Sequence, residues 1–319
     1  MFTIRPFQPT VAEYEAIAAV EKAVYPENAD TVEDFKHRDS SREPEQFFQR
    51  WVVAQDGRII AFATLSQQIH SQTPGRYRFL IVVQPDFERR GVGTAVYHQI
   101  WQTLQTRTPQ PAILESGTYQ HLPQSIRFLE KRGFQQVMRW VITRLELPEF
   151  DITQFEPLIG RLKMQGVHFV TLPQLQNQDD AWLPKLHELD WQLTQDEPLP
   201  YTPKKIPEAQ FKKLFVDGPN VLPDGWIVAM ENGRTIGNSL LEKGPLPGGL
   251  STGFTGVLRD YRRQGLATAL KAISIDWGKQ AGYSFIRTGN EENNPMLTLN
   301  KKLGFQEVTA SLAFEKKIS

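Results

Sequence analysis

Cysteine is absent from all 319 residues of the chain, which removes disulfides, thiolate metal sites and any cysteine nucleophile, an acyl-cysteine relay included. Histidine is scarce. His37, His70, His98, His121, His168 and His187 stand apart without metal-ligand spacing, so no metal is expected. Net charge is missing as well, with Lys+Arg and Asp+Glu both 36. A neutral chain has no electrostatic footprint for nucleic acid, and none is expected as a partner. No apolar run is long enough to span a bilayer and no secretory h-region is present, so no membrane partner and a cytoplasmic location are expected. What remains is ordinary globular composition, 40% hydrophobic and 23% charged, on a chain long enough for two cores of about 150 residues each.

The most informative stretch runs from Thr255 to Lys271. An apolar strand, Thr255-Gly256-Val257-Leu258, leads into a basic turn at Arg259, Arg262 and Arg263, and Gly265 and Ala267 open a helix. Unpaired N–H groups of a helix start, with positive charge beside them, form a cradle for a diphosphate. The Gly-Lys-Ser/Thr ending of a Walker loop is lacking, as are two of the three glycines of the dinucleotide fingerprint. Downstream, Leu266, Leu270, Ile273 and Trp277 recur at helical spacing before a Gly282 stop, and Tyr283–Thr288 reads as a strand. A polar segment follows, in which Asn293 or Asn294 caps a helix begun by Pro295 and closed by Gly304, with Phe305 returning to the core.

The same order of features occurs earlier. Tyr77–Val83 is an apolar strand, Glu88-Arg89-Arg90-Gly91-Val92-Gly93 a second cradle, and Val96, Ile100 and Leu104 a helix face, with Gly133-Phe134 closing the set. Upstream, Trp51–Ala61 mirrors Trp226–Gly237, each a hairpin turned by Asp56-Gly57 or Asn232-Gly233. Each tryptophan stands about 40 residues before its cradle glycine, and each cradle glycine about 40 before its Gly-Phe pair, which marks a duplicated domain. The N-terminal copy opens with an edge strand at Phe2–Phe7 and a helix at Val11–Tyr25, and its last strand is expected at Gln136–Leu145. Residues 150–166 read as a capped helix with a glycine stop, and Val167–Leu172 restarts the pattern, which sets a boundary near residue 150.

Arg262-Arg263-Gln264-Gly265-Leu266-Ala267 resembles the acetyl-CoA signature of the GNAT N-acetyltransferases, Arg/Gln-x-x-Gly-x-Gly/Ala. Residues 290–305, ending in Leu-Gly-Phe, are similar to the family's second CoA-contacting segment. The resemblance extends over both halves, in a layout similar to that of mycothiol acetyltransferases. It implies an α/β (α+β) fold of two tandem GNAT domains, 1–150 and 151–319, each a mixed, mostly antiparallel central sheet flanked by helices. Acetyl-CoA is the implied co-substrate, held in the C-terminal domain by Val257, Leu258, Arg262, Arg263, Gln264, Gly265, Leu266, Ala267, Thr268, Asn290 and Asn293. In the first half Glu88 takes the leading Arg/Gln position, where its charge repels a diphosphate, so that half is expected to be degenerate in CoA binding.

The resemblance also implies an acetyl transfer to a primary amine by direct attack, in the C-terminal domain. Many members carry an acid tyrosine four residues before the glycine of Gly-Phe; here Leu129 and Asn300 take that place. A backbone N–H at Val257 or Leu258 is expected to hold the oxyanion, Asn300 to hydrogen-bond the thioester, and Glu242 or water to accept the amine proton. The proline-studded segment 196–207 corresponds to the family's acceptor loop, making Trp191, Asp196, Glu197 and Tyr201 the candidate acceptor-binding residues. The expected acceptor is a small-molecule amine, with a peptide or protein amine as the other choice. The alternative reading is a non-catalytic acyl-CoA-binding or scaffold protein of the same fold, and the oligomeric state is left open.

Overall fold

The computed structural model describes residues 1–318. Local chemistry explains most of its elements. Asp56-Gly57 and Asn232-Gly233 all have positive φ, the pairing that turns a two-residue hairpin with the right strand twist. Thr10 and Thr31 cap the first two helices by accepting backbone N–H groups, and Asn294 does the same for the last.

Contacts divide the chain into two compact units. The first comprises Met1–Arg139, Pro200–Lys204 and residues 311–318; the second comprises Trp140–Leu199 and Lys205–Ala310. In chain order the first half supplies β1 (Phe2–Pro6), α1 (Val11–Val24), α2 (Val32–Ser40), β2 (Phe48–Gln55), β3 (Arg58–Gln67), β4 (Arg76–Val83), α3 (Val92–Leu104), β5 (Ile113–Tyr119), α4 (Pro123–Glu130) and β6 (Gln135–Glu146). The second half supplies α5 (Glu156–Met164), β7 (His168–Thr171), α6 (Leu172–Gln178), α7 (Trp182–Thr194), α8 (Glu208–Phe211), β8 (Val221–Glu231), β9 (Arg234–Lys243), β10 (Gly249–Val257), α9 (Leu266–Gln280), β11 (Phe285–Glu291), α10 (Pro295–Lys302) and β12 (Gln306–Lys317).

Within the first unit the strands run antiparallel from β1 through β2 and β3 to β4, then parallel to β5, whose outer neighbour is antiparallel β12. The second unit repeats this, β7 through β10 antiparallel, β10 parallel to β11, and β6 antiparallel on the outer side of β11. Each unit is thus a mixed, mostly antiparallel sheet with helices packed on it. The outer strands differ from the sequence-based expectation. Residues of β6 from Trp140 pair with β11, while the final strand of the chain, Ser311–Lys317, pairs with β5.

A buried ion cluster fixes that last pairing. Glu115 and Glu315 face one another directly across the β5–β12 ladder, an arrangement that like charge disfavours. Arg76 of β4, 2% exposed, resolves it by donating to both carboxylates. The apolar cores agree with the strand assignment, since Leu312 and Phe314 pack with Leu114 and Val96, and Leu145 packs with Ile286 and Phe305. On α9 the buried face is Leu266, Ala269, Leu270, Ala272 and Ile275, with Ile273 and Trp277 only half-buried at its edge.

Candidate active site

The second unit's site is built where β10 and β11 part. The two strands pair only at Gly249–Ser251 with Phe285–Arg287. Beyond that point Thr252–Val257 and Thr288–Asn290 become opposite walls of a slot of about 300 Å³. The ladder with β9 shows which backbone groups face it. Leu258 donates its N–H to the Ile236 carbonyl at 3.0 Å, so by antiparallel alternation the N–H and C=O of neighbouring Val257 point away from β9. The Leu258 N–H is thus already committed to the sheet, whereas that of Val257 faces the slot. Glycines on β10 let its neighbours pack close. A Cβ on Gly256 would lie 2.7 Å from Leu193 of α7, and one on Gly253, at a bulge in the β10–β9 register, 3.0 Å from Glu242.

At the mouth, a single tight turn at Arg259–Tyr261 precedes Arg263 with φ +64° and Gly265 with φ +89°, the N-cap of α9. The first intrahelical bond runs from Ala269 N–H to the Gly265 carbonyl, so the N–H groups of residues 265–268 have no helical acceptor. Gly265 is required twice over, by its positive φ and because a Cβ would lie 2.7 Å from Leu158 of α5. Arg161 of the same helix donates to the Gln264 carbonyl at 3.1 Å. A diphosphate fits this start of a helix, with its free N–H groups and adjacent cation.

The first unit carries the same turn. Arg89 has φ +60°, Gly91 caps α3 at φ +83°, and Ala95 N–H is the first to bond back, to Gly91. Its slot, about 220 Å³, is lined by Tyr25, Phe79, Phe128, Leu129 and Glu88 among others. The two cradles therefore share a backbone and differ in side chains, Glu88 against Arg262 at the corresponding lining position.

The structure brings together some of the residues expected from sequence and not others. Val257, Arg262, Ala267, Asn290, Asp196 and Glu197 line the second unit's slot. Arg263, Gln264, Gly265, Leu266 and Thr268 form the cradle turn without lining the slot. Arg262 donates from Nε to the Val257 carbonyl at 3.1 Å and from Nη2 to Asp196. Asp196 also accepts from Arg259, and these two guanidiniums, Arg259 foremost, hold its carboxyl below the usual range. It is thus engaged by the cradle rather than open to an amine. Tyr201 lies in the first unit, its ring 5.2 Å from the Arg76 guanidinium, because the prolines around it send residues 200–204 there. Trp191 is half-buried on α7 outside the lining. Glu242 packs against Gly253 behind the wall. Asn293 turns its N–H and side-chain amide to the Glu291 carboxylate, both at 2.9 Å, and the helix cap is Asn294. Asn300 is fully buried and donates to Asn290 Oδ1 at 2.6 Å, so it orients Asn290 from behind.

Sequence reasoning missed the floor, while the segment 290–305 that it read as contacting CoA does supply lining residues. Lys271 shares the floor with Ala267, and Asn294, Pro295 and Met296 form the far wall. The i, i+4 spacing from Ala267 to Lys271 was the available signal for the floor.

Comparison with known proteins agrees with this geometry. The family profile described as Acetyltransferase (GNAT) family matches residues 14–134 and again 184–305. No curated protein matches the chain. Among solved structures, a tandem GNAT protein from the clavulanic acid biosynthesis pathway, solved without AcCoA, matches with a TM-score of 0.74 at 17% identity, over 99% of this chain and 98% of that one. A GCN5-related N-acetyltransferase from Sphaerobacter thermophilus matches at 0.69 and 17%, over 99% and 95%. A GCN5-related glucosamine N-acetyltransferase region of a fungal multi-domain GH3 beta-N-acetylglucosaminidase matches at 0.71 and 13%, over 98% of this chain and 38% of that one. At these identities the likeness is one of fold.

Proposed function

The chain belongs to the GNAT acetyltransferase family, with two tandem copies of its fold, and from that premise we propose that its second unit transfers an acetyl group from acetyl-CoA to a primary amine. The observation that carries this is the pairing of an arginine-bearing cradle with a slot between parting strands in one unit. Acetyl-CoA supplies a thioester, whose carbonyl an amine attacks directly. The N–H groups of residues 265–268 and Arg262 bind the diphosphate. Asn290, held by Asn300, bonds the pantetheine amides, and the Val257 N–H meets the oxyanion as charge develops there. A small-molecule amine enters past Glu197 at the exposed rim, and the amine proton leaves to that carboxylate or to water. The reaction needs no metal, and we place it in the cytoplasm.

Titration calorimetry with CoA tests the assignment. Arg263→Glu and Gly265→Asp are expected to weaken binding about tenfold or more, since the first reverses a charge at the cradle and the second forces an L residue into left-handed backbone. Arg90→Glu and Gly91→Asp are expected to leave it unchanged. Two equivalent sites, lost independently, would end the division of labour. One observation favours a second reading. The position aligned with the family's acid tyrosine holds a locked amide, Asn300, as it would in a non-catalytic acyl-CoA sensor. Thiol release from acetyl-CoA over a panel of primary amines separates the two, because a sensor binds without turnover.

A further inference from the structure

Lys271 lies one helical turn beyond Ala267, and the two form the floor of the second unit's slot. It is 3% exposed. Among the described residues its ammonium makes no hydrogen bond or ion pair, and an aromatic face, that of Phe305, lies 5.4 Å from Nζ. A cation buried without a counter-ion costs stability that an apolar side chain of similar volume would not. Burial also pushes its amine down to about 7, the range in which a proton donor works best near neutral pH. Asp196, Glu197 and Arg262 line the same slot, and Arg287 stands on β11 one residue before Thr288. None of these sets the shift, which burial alone produces.

We propose that Lys271 is the catalytic acid of the second unit, giving its proton to the departing CoA thiolate in the place of the acid that Asn300 cannot be. This rests on the acetyl-transfer reading above. As the acceptor nitrogen bonds to the carbonyl carbon, the C–S bond breaks and its electron pair passes to sulfur. Lys271 Nζ–H delivers a proton to that sulfur, giving the CoA thiol. The nitrogen of the new amide loses its proton to Glu197 or water, and Lys271 regains one from solvent.

Two variants test this. Lys271→Met keeps the volume without an ionisable group, and Lys271→Gln keeps polarity without an acidic proton. Both are expected to fold, with Lys271→Met melting at or above the wild type. Their kcat should fall about 10²- to 10⁴-fold, the range of general acid catalysis. CoA Kd should move less than about threefold, because the cradle carries the affinity. The decline of wild-type kcat above about pH 7, where Lys271 loses its proton, should vanish. A readout independent of turnover is the ultraviolet absorption of the bound CoA thiolate. An ammonium beside the sulfur lowers the thiol pKa, so replacing it with methionine should raise that value by about one unit or more. Variants with kcat within about threefold of wild type, or an unchanged thiol titration, would overturn the assignment. A wild type that binds CoA yet acetylates no amine would instead remove the acetyl-transfer reading, and the acid with it.

Discussion

Arg262 gives its guanidinium to Asp196 and to the Val257 carbonyl, and a diphosphate arriving at the start of α9 must compete with that carboxylate. Asp196→Asn releases the competitor. It is expected to tighten CoA binding roughly two- to fivefold at low salt, the scale of an exposed ion pair, with the difference fading as ionic strength rises; calorimetry at two salt concentrations checks both. The residue scale is where sequence reading was least complete. The turn at Arg262, Gly265 and Ala267 was legible because its backbone is dictated locally. Asp196 and Tyr201 were named for the same acceptor loop, yet one closes on the cradle and the other lies over Arg76 in the first unit. Spacing along a proline-rich segment does not say where its side chains land. Lys271 was visible in the sequence as one more lysine on a helix, and its burial made it a candidate.

Among the elements, β6 and β12 depart most from expectation. Strand character at Gln135–Glu146 was plain from alternation, but the partner was not, because a sheet edge accepts any strand of suitable face and register. Burial of Leu312 and Phe314 beside Leu114, and the Arg76 bridge between Glu115 and Glu315, select β12 for β5. Burial raises the Glu115 carboxyl even though Arg76 draws it down. Arg76→Met leaves two facing carboxylates uncompensated and is expected to destabilise the first unit by about 3–5 kcal/mol at neutral pH. The sign with pH follows from the Glu115 carboxyl, already raised by burial. Protonation relieves its repulsion with Glu315, so the deficit should shrink as pH falls toward 5 and grow again as it rises. Denaturant melts at the two pH values measure it.

Across the whole molecule, the two cradles have nearly the same backbone, Arg89 and Gly91 against Arg263 and Gly265. The first keeps the turn but sets Glu88 where the second has Arg262. Glu88→Arg is accordingly expected to raise CoA stoichiometry from about one per chain toward two in calorimetry, and a stoichiometry still near one would show that the aromatic lining of the first slot, not Glu88, excludes the ligand. The duplication, the family, both hairpins and both cradles were fixed by sequence alone, since each depends on residues within a few positions of one another and on glycine or asparagine where backbone demands it. Tertiary structure decided what depends on distant segments meeting. It set which strand completes each sheet, committed the Leu258 N–H to Ile236 while leaving that of Val257 to the slot, turned Asp196 to Arg262, and buried Lys271 beneath the parted strands. Burial and hydrogen-bond pairing are properties of the packed chain, and no local pattern encodes them.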